Sequence, residues 1–489
     1  MVDLRRLTVG FLIALAACGG DDGGAPPVEG VTWYRDVAPI VAKHCMGCHK
    51  DGGIGPFLLT SYDDAAPIAP QLLAAIETGV MPPFDARETS DCAPRHGWQD
   101  DPRLSPSELA TLRAWIADGT QAGEVAAVPT PPIYELTGVT ATLRPTTPFI
   151  TTGENDQFIC YALDPGNTEL AWINGLQIRA GNPDVVHHAV TVALFPKDRP
   201  TDPDGPLEQL RAAGTIGVPF DCADGGVTTM AGSFLLGVWT PGNQPIDLPA
   251  GIAAPLLPRS LVVIQIHYHP GGRLTNAPDA TEIDLRLDAA RPTQIYTATA
   301  IGNAAAAPEL LADPDDRGPP EFRIPANSDT HGERMRFTLG DVDAPIPLFS
   351  AYPHMHYVGT GIDIRITRAA SSPTQPTSEC LFSGDWNFDW QRSYLYDAPV
   401  AALPTVASGD VVDLACSYDN TLRNPFVQRA LTEAGLIAPI DIALGEQTLD
   451  EMCLGIFGVV VPLPPAARAD DDARDVRALI VRTADSFKP

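Results

Sequence analysis

From about residue 133 onward, short β-branched and aromatic runs alternate with turns rich in Pro, Gly and Asp, through to the end of the 489-residue chain. Val185–Phe195, Ser260–His269, Ile362–Thr367 and Val411–Tyr418 are such runs. Parallel strands need a crossover of roughly a dozen residues or more, usually a helix. Strands this closely spaced therefore predict antiparallel sandwiches. Only two short helical pieces interrupt the pattern, near Pro206–Ala213 and Asn424–Glu433. About 350 residues of this kind are better divided into two sandwiches than gathered into one. The expected fold is multidomain: a small all-α segment followed by two all-β bodies.

The residues before this region read as helices. Trp33–His44 is amphipathic, a second helix spans about Pro70 to Thr78, and a third is well signalled at both ends. Ser105 stands at the N-cap, Pro106 at the first helical position, Glu108 completes a capping box, and Gly119 ends the helix. Leu109, Leu112 and Ile116 line one face with Trp115 beside them. The small domain is bounded at residues 31–123, and 124–139 is a linker.

Charge and leader set the compartment. With 32 basic and 61 acidic side chains the chain carries −29, which argues against a nucleic-acid binder because phosphate contacts need a basic face. The longest apolar run, Leu7 to Ala17, is too short to span a bilayer, so a multi-span membrane protein is excluded. Arg5 and Arg6, the run Leu7-Thr-Val-Gly-Phe-Leu-Ile-Ala14 and the ending Leu15-Ala-Ala-Cys18 make a signal peptide over residues 1–18. The ending resembles a bacterial lipobox with Cys18 as the lipid-bearing residue; a plain secretory signal is the alternative. Gly19 after Cys18 favours the outer membrane by the same resemblance, and residues 19–30, opening Gly19-Gly-Asp-Asp-Gly-Gly24, form a flexible tether. The reading is an exported protein in the periplasm or at the cell surface, held to the membrane by a lipid anchor only. Nine cysteines are present; setting aside Cys18, Cys45 and Cys48 leaves six, enough for three disulfides whose connectivity counting does not fix.

Cys45-Met46-Gly47-Cys48-His49 matches the c-type haem attachment sequence. Two thiols three positions apart each bond one vinyl group of the porphyrin, and the following imidazole points at the iron. Zinc would need a second ligand pair, and a thioredoxin-like redox pair a βαβ context. Met81, in Gly79-Val80-Met81-Pro82-Pro83, is the favoured sixth ligand. Met81 as core filler leaves His96 or an open position instead, and Met46 is the weaker choice. The segment resembles a class I cytochrome c carrying one covalent haem.

Six of the ten histidines fall in three tight pairs: His187-His188, His267 with His269, and His354 with His356. Residues i and i+2 share a strand face, so the last two pairs can each aim two imidazoles at one point. The adjacent pair needs a local twist or bulge to converge. Imidazole suits copper and zinc, and a thioether nearby favours copper because it is soft. Met452, in Leu449-Asp-Glu-Met-Cys-Leu-Gly-Ile456, offers that thioether.

The ordered set His-His, Gln-x-His-Tyr, His-x-His and Glu-Met-Cys, over roughly residues 140 to 470, resembles the copper type II, ascorbate-dependent monooxygenases. The resemblance implies two jelly rolls, at 140–305 and 306–489, and two coppers. It assigns His187, His188 and His267 to an electron-transfer copper, and His354, His356 and Met452 to the catalytic, oxygen-binding copper. His269 is left as a neighbour or alternative ligand, and His331 is expected on the surface. The same resemblance pairs Cys160 with Cys222 and Cys416 with Cys453; Cys92 and Cys380 either pair across domains or stay free. It implies hydroxylation of a C–H bond by O2, on an unidentified small-molecule substrate. The haem is an addition to the family's pattern, and the expectation is that it feeds electrons to the coppers, replacing or supplementing ascorbate, with ascorbate or a redox protein as donor. The peptide-amidating members grip a carboxylate with an arginine, an asparagine and a tyrosine. At those places stand Tyr352, Leu454 and Ile456, which argues for a more apolar substrate. The competing reading is a non-enzymatic copper-binding or electron-transfer lipoprotein; an adhesin with coincidental histidines would hold no copper.

Overall fold

The computed structural model describes residues 30–487 apart from 52, 54, 133, 153–156, 198–204, 223–226, 228–229, 231, 242, 269–275, 446–448 and 466–471. The leader with Cys18, and His269, lie outside the described residues.

The N-terminal helices form where the sequence signals them. Trp33–His44 opens with a wide π turn, Ala69–Glu77 follows, and Pro106–Ala117 carries the full capping box. Ser105 Oγ accepts from Glu108 N–H at 3.3 Å, and Glu108 Oε2 accepts from Ser105 N–H at 2.8 Å. Trp33, Val37, Val41, Met46, Leu59, Leu112 and Trp115 close a small core of their own. Met46, the weaker candidate for the sixth ligand, is thus part of the packing.

Residues 84–103 leave that core, although the sequence reading placed them in the all-α segment. Two prolines precede them and two more interrupt them, so no helix forms, and their aromatic side chains take cover elsewhere. Ala86 bridges to Gly384, Pro94 to Cys380 and Trp98 to Tyr396. Cys92 is disulfide-bonded to Cys380, which closes the question left open for that pair. Phe84 and Trp98 join the main β core, Trp98 stacking on Tyr396 at 4.9 Å. This strap fastens the helical region to the far end of the chain.

The rest is mostly β-sheet. One sheet runs Ala141–Leu143, Glu282–Asp288, Ala171–Arg179, Ile252–Leu256, Gln294–Gly302, Leu454–Pro462, Ile346–His354, Tyr394–Leu395 in spatial order. A second comprises Phe220–Asp221, Gln157–Leu163, Leu261–Tyr268, Val186–Leu194 and Ser233–Trp239; a third, His331–Thr338, Val411–Tyr418, Gly359–Thr367 and Ser378–Asp385. All three contribute to one apolar core. Among the described strand pairs only Gln294–Gly302 with Ile252–Leu256 is parallel. Gln294–Gly302 also pairs along its whole length with Leu454–Pro462, so the boundary expected at residue 305 falls beside a sheet that both halves share.

Leu261–Tyr268 is buried at every position but Gln265, because both its faces are covered. Outward-facing Cys160, Val192, Leu194 and Val263 pack under Leu207 of helix Pro206–Ala212. The Cys160–Cys222 and Cys416–Cys453 disulfides form as the resemblance implied. With Cys92–Cys380 they make three, a number that fits an oxidising compartment. Among the described residues no helix is long and apolar enough to cross a membrane.

Candidate metal and haem centres

The first histidine group is built by two neighbouring strands and a bulge. His267 pairs directly with His188, but the next residue, Tyr268, pairs with Val186, so His187 is an extra residue in its strand. Such a bulge twists the strand and re-aims a side chain. It is the local irregularity that lets adjacent His187 and His188 face the same way. His188 Nδ1 lies 3.2 Å from His187 Nδ1 and 3.3 Å from His267 Nδ1. At a metal–nitrogen distance of about 2.0–2.1 Å, two tetrahedral ligands stand about 3.3 Å apart. Three nitrogens at that spacing suit copper or zinc. His267 is buried and stacks on Phe158 at 4.3 Å.

The second group lies where Ile346–His354 ends. His354 Nδ1–H donates to Gln391 Oε1 at 3.0 Å, and His356 Nδ1–H donates to the Asp450 carbonyl at 3.0 Å. With Nδ1 so engaged on each ring, Nε2 is the ring nitrogen by which a metal would be held. The rings sit 5.3 Å apart at 83°. Burial, and then the neighbouring His356, hold the His354 imidazole down to about 3, neutral as a ligand must be. In the ladder the last residue of the strand, His354, faces Leu454, two residues after Met452.

Glu451 links the two segments directly. Fully buried, it accepts through Oε1 from His356 N–H and from Met452 N–H (2.8 Å), and through Oε2 from Val358 and Gly359 N–H (3.1 Å each). One carboxylate thus joins the backbones of two sequence-predicted ligands about a hundred residues apart. Burial pushes the Glu451 carboxyl up to about 8, against the pull of those four donors. Tyr418 Oη donates to the Met452 carbonyl at 3.1 Å, and the Cys416–Cys453 disulfide anchors the next residue.

A short segment, Trp386–Gln391, serves both groups, and sequence reading did not single it out. Gln391 Oε1 accepts from His354 and also from Tyr352 Oη at 3.0 Å. Trp386 Nε1–H donates to the His356 carbonyl at 2.8 Å. Asp389 Oδ1 lies 3.4 Å from His187 Nε2 and accepts from Arg429 at 2.9 Å, while the Phe388 ring lies 6.2 Å from that of His267. Burial raises the Asp389 carboxyl, but His187 and Arg429 outweigh it and bring it down to about 2. The available signal was the aromatic density of Trp-Asn-Phe-Asp-Trp-Gln between two strands.

In the helical region Cys45 and Cys48 are not disulfide-bonded to each other, unlike the six cysteines above. Burial, then the nearby Cys48, pushes the Cys45 thiol up to about 12. His49 is buried, and its Nδ1–H donates to the Phe57 carbonyl at 3.0 Å, again presenting Nε2. The chain folds back so tightly here that a Cβ on Gly55 would stand 2.6 Å from that Nδ1. Phe57, Leu58 and Val80, which flank His49 and Met81 in the sequence, are exposed apolar side chains. These donors and this apolar rim suit a porphyrin. His96 is engaged elsewhere, its Nε2 lying 2.8 Å from the Ala402 carbonyl. His331, expected on the surface, is instead buried, because it starts a strand whose alternate residues face inward.

No family model matches this chain, and no curated protein matches it. Among solved structures it is similar to allantoicase at 11% identity, covering 56% of this chain and 84% of that one with a TM-score of 0.16. It is similar to the STIV MCP at 11% identity, covering 60% and 97% with a TM-score of 0.18. A structure of Sulfolobus turreted icosahedral virus gives 13% identity, 72% and 98% coverage and a TM-score of 0.16. Likenesses this slight carry no argument.

Proposed function

We propose that the chain is an exported, lipid-anchored copper monooxygenase that hydroxylates a C–H bond of a small, largely apolar organic substrate, with a fused haem c as electron entry. The observation that supports this reading is the shared Glu451 carboxylate, which accepts from the backbone N–H of both His356 and Met452, while the His354 and His356 rings are each held through Nδ1. A set of two imidazoles and a thioether is soft enough for Cu(I); three imidazoles suit a copper that only passes electrons. When bound, copper at these two sites and haem on Cys45, Cys48 and His49 supply the redox chemistry by which O2, two electrons and two protons turn C–H into C–OH and water.

The residues of the chain do the positioning. Gln391 and the Asp450 carbonyl fix the ring planes of His354 and His356, Glu451 holds Met452, and Asp389 orients His187. Leu454, directly across from His354, and Ile456, across from Tyr352, offer apolar surface next to the site and no cation for a carboxylate. Met81 is the sixth haem ligand in this reading, the sandwiches are jelly rolls, Cys18 carries the lipid, and the outer membrane is the destination.

A metal and haem count on the purified protein should return two coppers and one haem. Met452→Ala should abolish substrate-linked O2 uptake while haem reduction and the three-imidazole copper persist. A protein that takes up haem but no cuprous ion overturns the reading. Copper binding without any substrate-linked O2 uptake would favour the non-enzymatic alternative. After rapid mixing of the reduced protein with O2 and substrate, a haem that stays reduced through turnover would remove it from the electron path.

A further inference from the structure

A third cluster lies apart from these centres. His331 and Glu333 occupy alternate, inward-facing positions of strand His331–Thr338 and are 5% and 0% exposed. Asp313 comes from the preceding loop, and one donor atom from each of the three residues lies within 4.8 Å of the others. We propose that Asp313, His331 and Glu333 form a site for a divalent cation of the Zn2+ or Mn2+ kind.

The argument is about protons and partners. His331 Nδ1 lies 3.3 Å from Asp315 Oδ2, and its Nε2 lies 3.1 Å from Glu333 Oε1. A neutral imidazole has one N–H, so one of these contacts sets a lone pair against a carboxylate oxygen. A cation between Nε2 and Glu333 removes the conflict and leaves Nδ1–H donating to Asp315, the carboxylate–histidine–metal arrangement that fixes a ligand ring. Glu333 Oε1 also accepts from Arg323 N–H at 3.0 Å, but Oε2 is buried without a hydrogen-bond partner. A buried carboxylate oxygen left bare is costly, and a metal satisfies it. The nearby Arg323 guanidinium is committed to Asp441 Oδ2 at 3.3 Å and the Asp315 carbonyl at 2.9 Å. Asp313 is held in place by Asp315 N–H, which donates to its Oδ1 at 2.6 Å. One imidazole among carboxylates is too hard a set for Cu(I) and suits Zn2+ or Mn2+. Bound there, the ion would clamp the loop carrying Asp313 to the strand beside Tyr418.

The full chain, stripped of metal, is the material for the test. Zinc bound after desalting is counted, and Mn2+ uptake is followed by loss of the free-ion EPR signal. The imidazole group has donors that would also take zinc, so variants separate the two sites. Glu333→Gln and Asp313→Asn should each lower the zinc count by one equivalent and abolish Mn2+ uptake. His188→Ala should lower the zinc count but leave Mn2+ uptake intact. Asp313→Asn, on a half-buried loop position, carries the test should Glu333→Gln fail to fold. Unchanged zinc and Mn2+ binding in both carboxylate variants overturns the proposal and leaves His331 as an imidazolium between two carboxylates. Neither result depends on whether copper or haem binds elsewhere.

Discussion

The two imidazole groups are built by opposite means. His187, His188 and His267 sit inside one sheet, on paired strands, where a single bulge does the aiming. Their geometry is a property of the ladder itself. His354, His356 and Met452 stand where the ladder runs out, and the chain leaves its strand after His354. That geometry rests on outside partners: Gln391, the Asp450 carbonyl, Glu451, and the disulfide next to Met452. A site inside a sheet keeps its ligands assembled when an outer partner is lost, at reduced affinity, whereas a site at a sheet's end depends on each partner for its assembly. A rigid set suits a metal that only exchanges electrons; a latched set leaves room for a weak thioether and a substrate.

The strongest way to break this contrast is Glu451→Ala. Four buried N–H groups lose their acceptor at once, and each unsatisfied donor costs about 1–3 kcal/mol. We expect a loss of about 4 kcal/mol in urea unfolding, with Cu(I) binding lost at the second group and kept at the first. Equal loss at both would mean that the groups are one cooperative unit. The joint change Cys92→Ser and Cys380→Ser comes next, freeing the strap from its sheet. Native disulfides typically contribute about 2–4 kcal/mol, and the thermal midpoint should fall accordingly. Copper at the second group should weaken with it, because Trp98 of the strap packs on Tyr394 at 5.4 Å, three residues beyond Gln391. Asp389→Ala tests the other side. Removing a carboxylate that orients a ligand lowers metal affinity about 10–100-fold, and a competition titration should find that loss at His187, His188 and His267 alone.

Much of this was legible in the chain, and the exceptions have a common cause. Strands, the capped helix at Ser105, the paired histidines and the haem-type motif are local patterns that fold where they are written. The adjacent His187-His188 pair announced its own bulge, since no regular strand turns neighbouring residues to one face. Residues 84–103 were misplaced because an irregular segment takes its shape from whatever covers its aromatic rings, here strands nearly 300 residues away. Asp389 and Gln391 escaped notice because a residue that orients a ligand needs no particular spacing from it in sequence. His331 escaped for a different reason: His-Gly-Glu has the same i and i+2 logic as the other pairs, but its second member is a carboxylate.

The smallest effect is also the one that asks how far the second group leans on the strap. Asp85 lies at the strap's start, where the Asp385 N–H donates to its carbonyl at 2.9 Å. Burial, and then the Asp385 carboxylate, push the Asp85 carboxyl up to about 7, against the attraction of Arg392. In an unfolded chain an aspartate titrates near about 3.9. Between those values the folded protein holds the extra proton, so stability is fully present below about pH 4 and is lost as pH rises toward about 7. Asp85 is half-buried and solvent screens it, so about 1 kcal/mol is the expected size. Asp85→Asn cannot ionise and should unfold at the same urea concentration as the parent at pH 4 but at a higher one at pH 8. If the strap supports Gln391, the parent should also lose Cu(I) affinity at His354 and His356 over that window while the three-imidazole group keeps the same affinity in parent and variant. A drop shared by both groups, or absent from both, would show that the latches around Glu451 and Gln391 hold the second group without help from the strap.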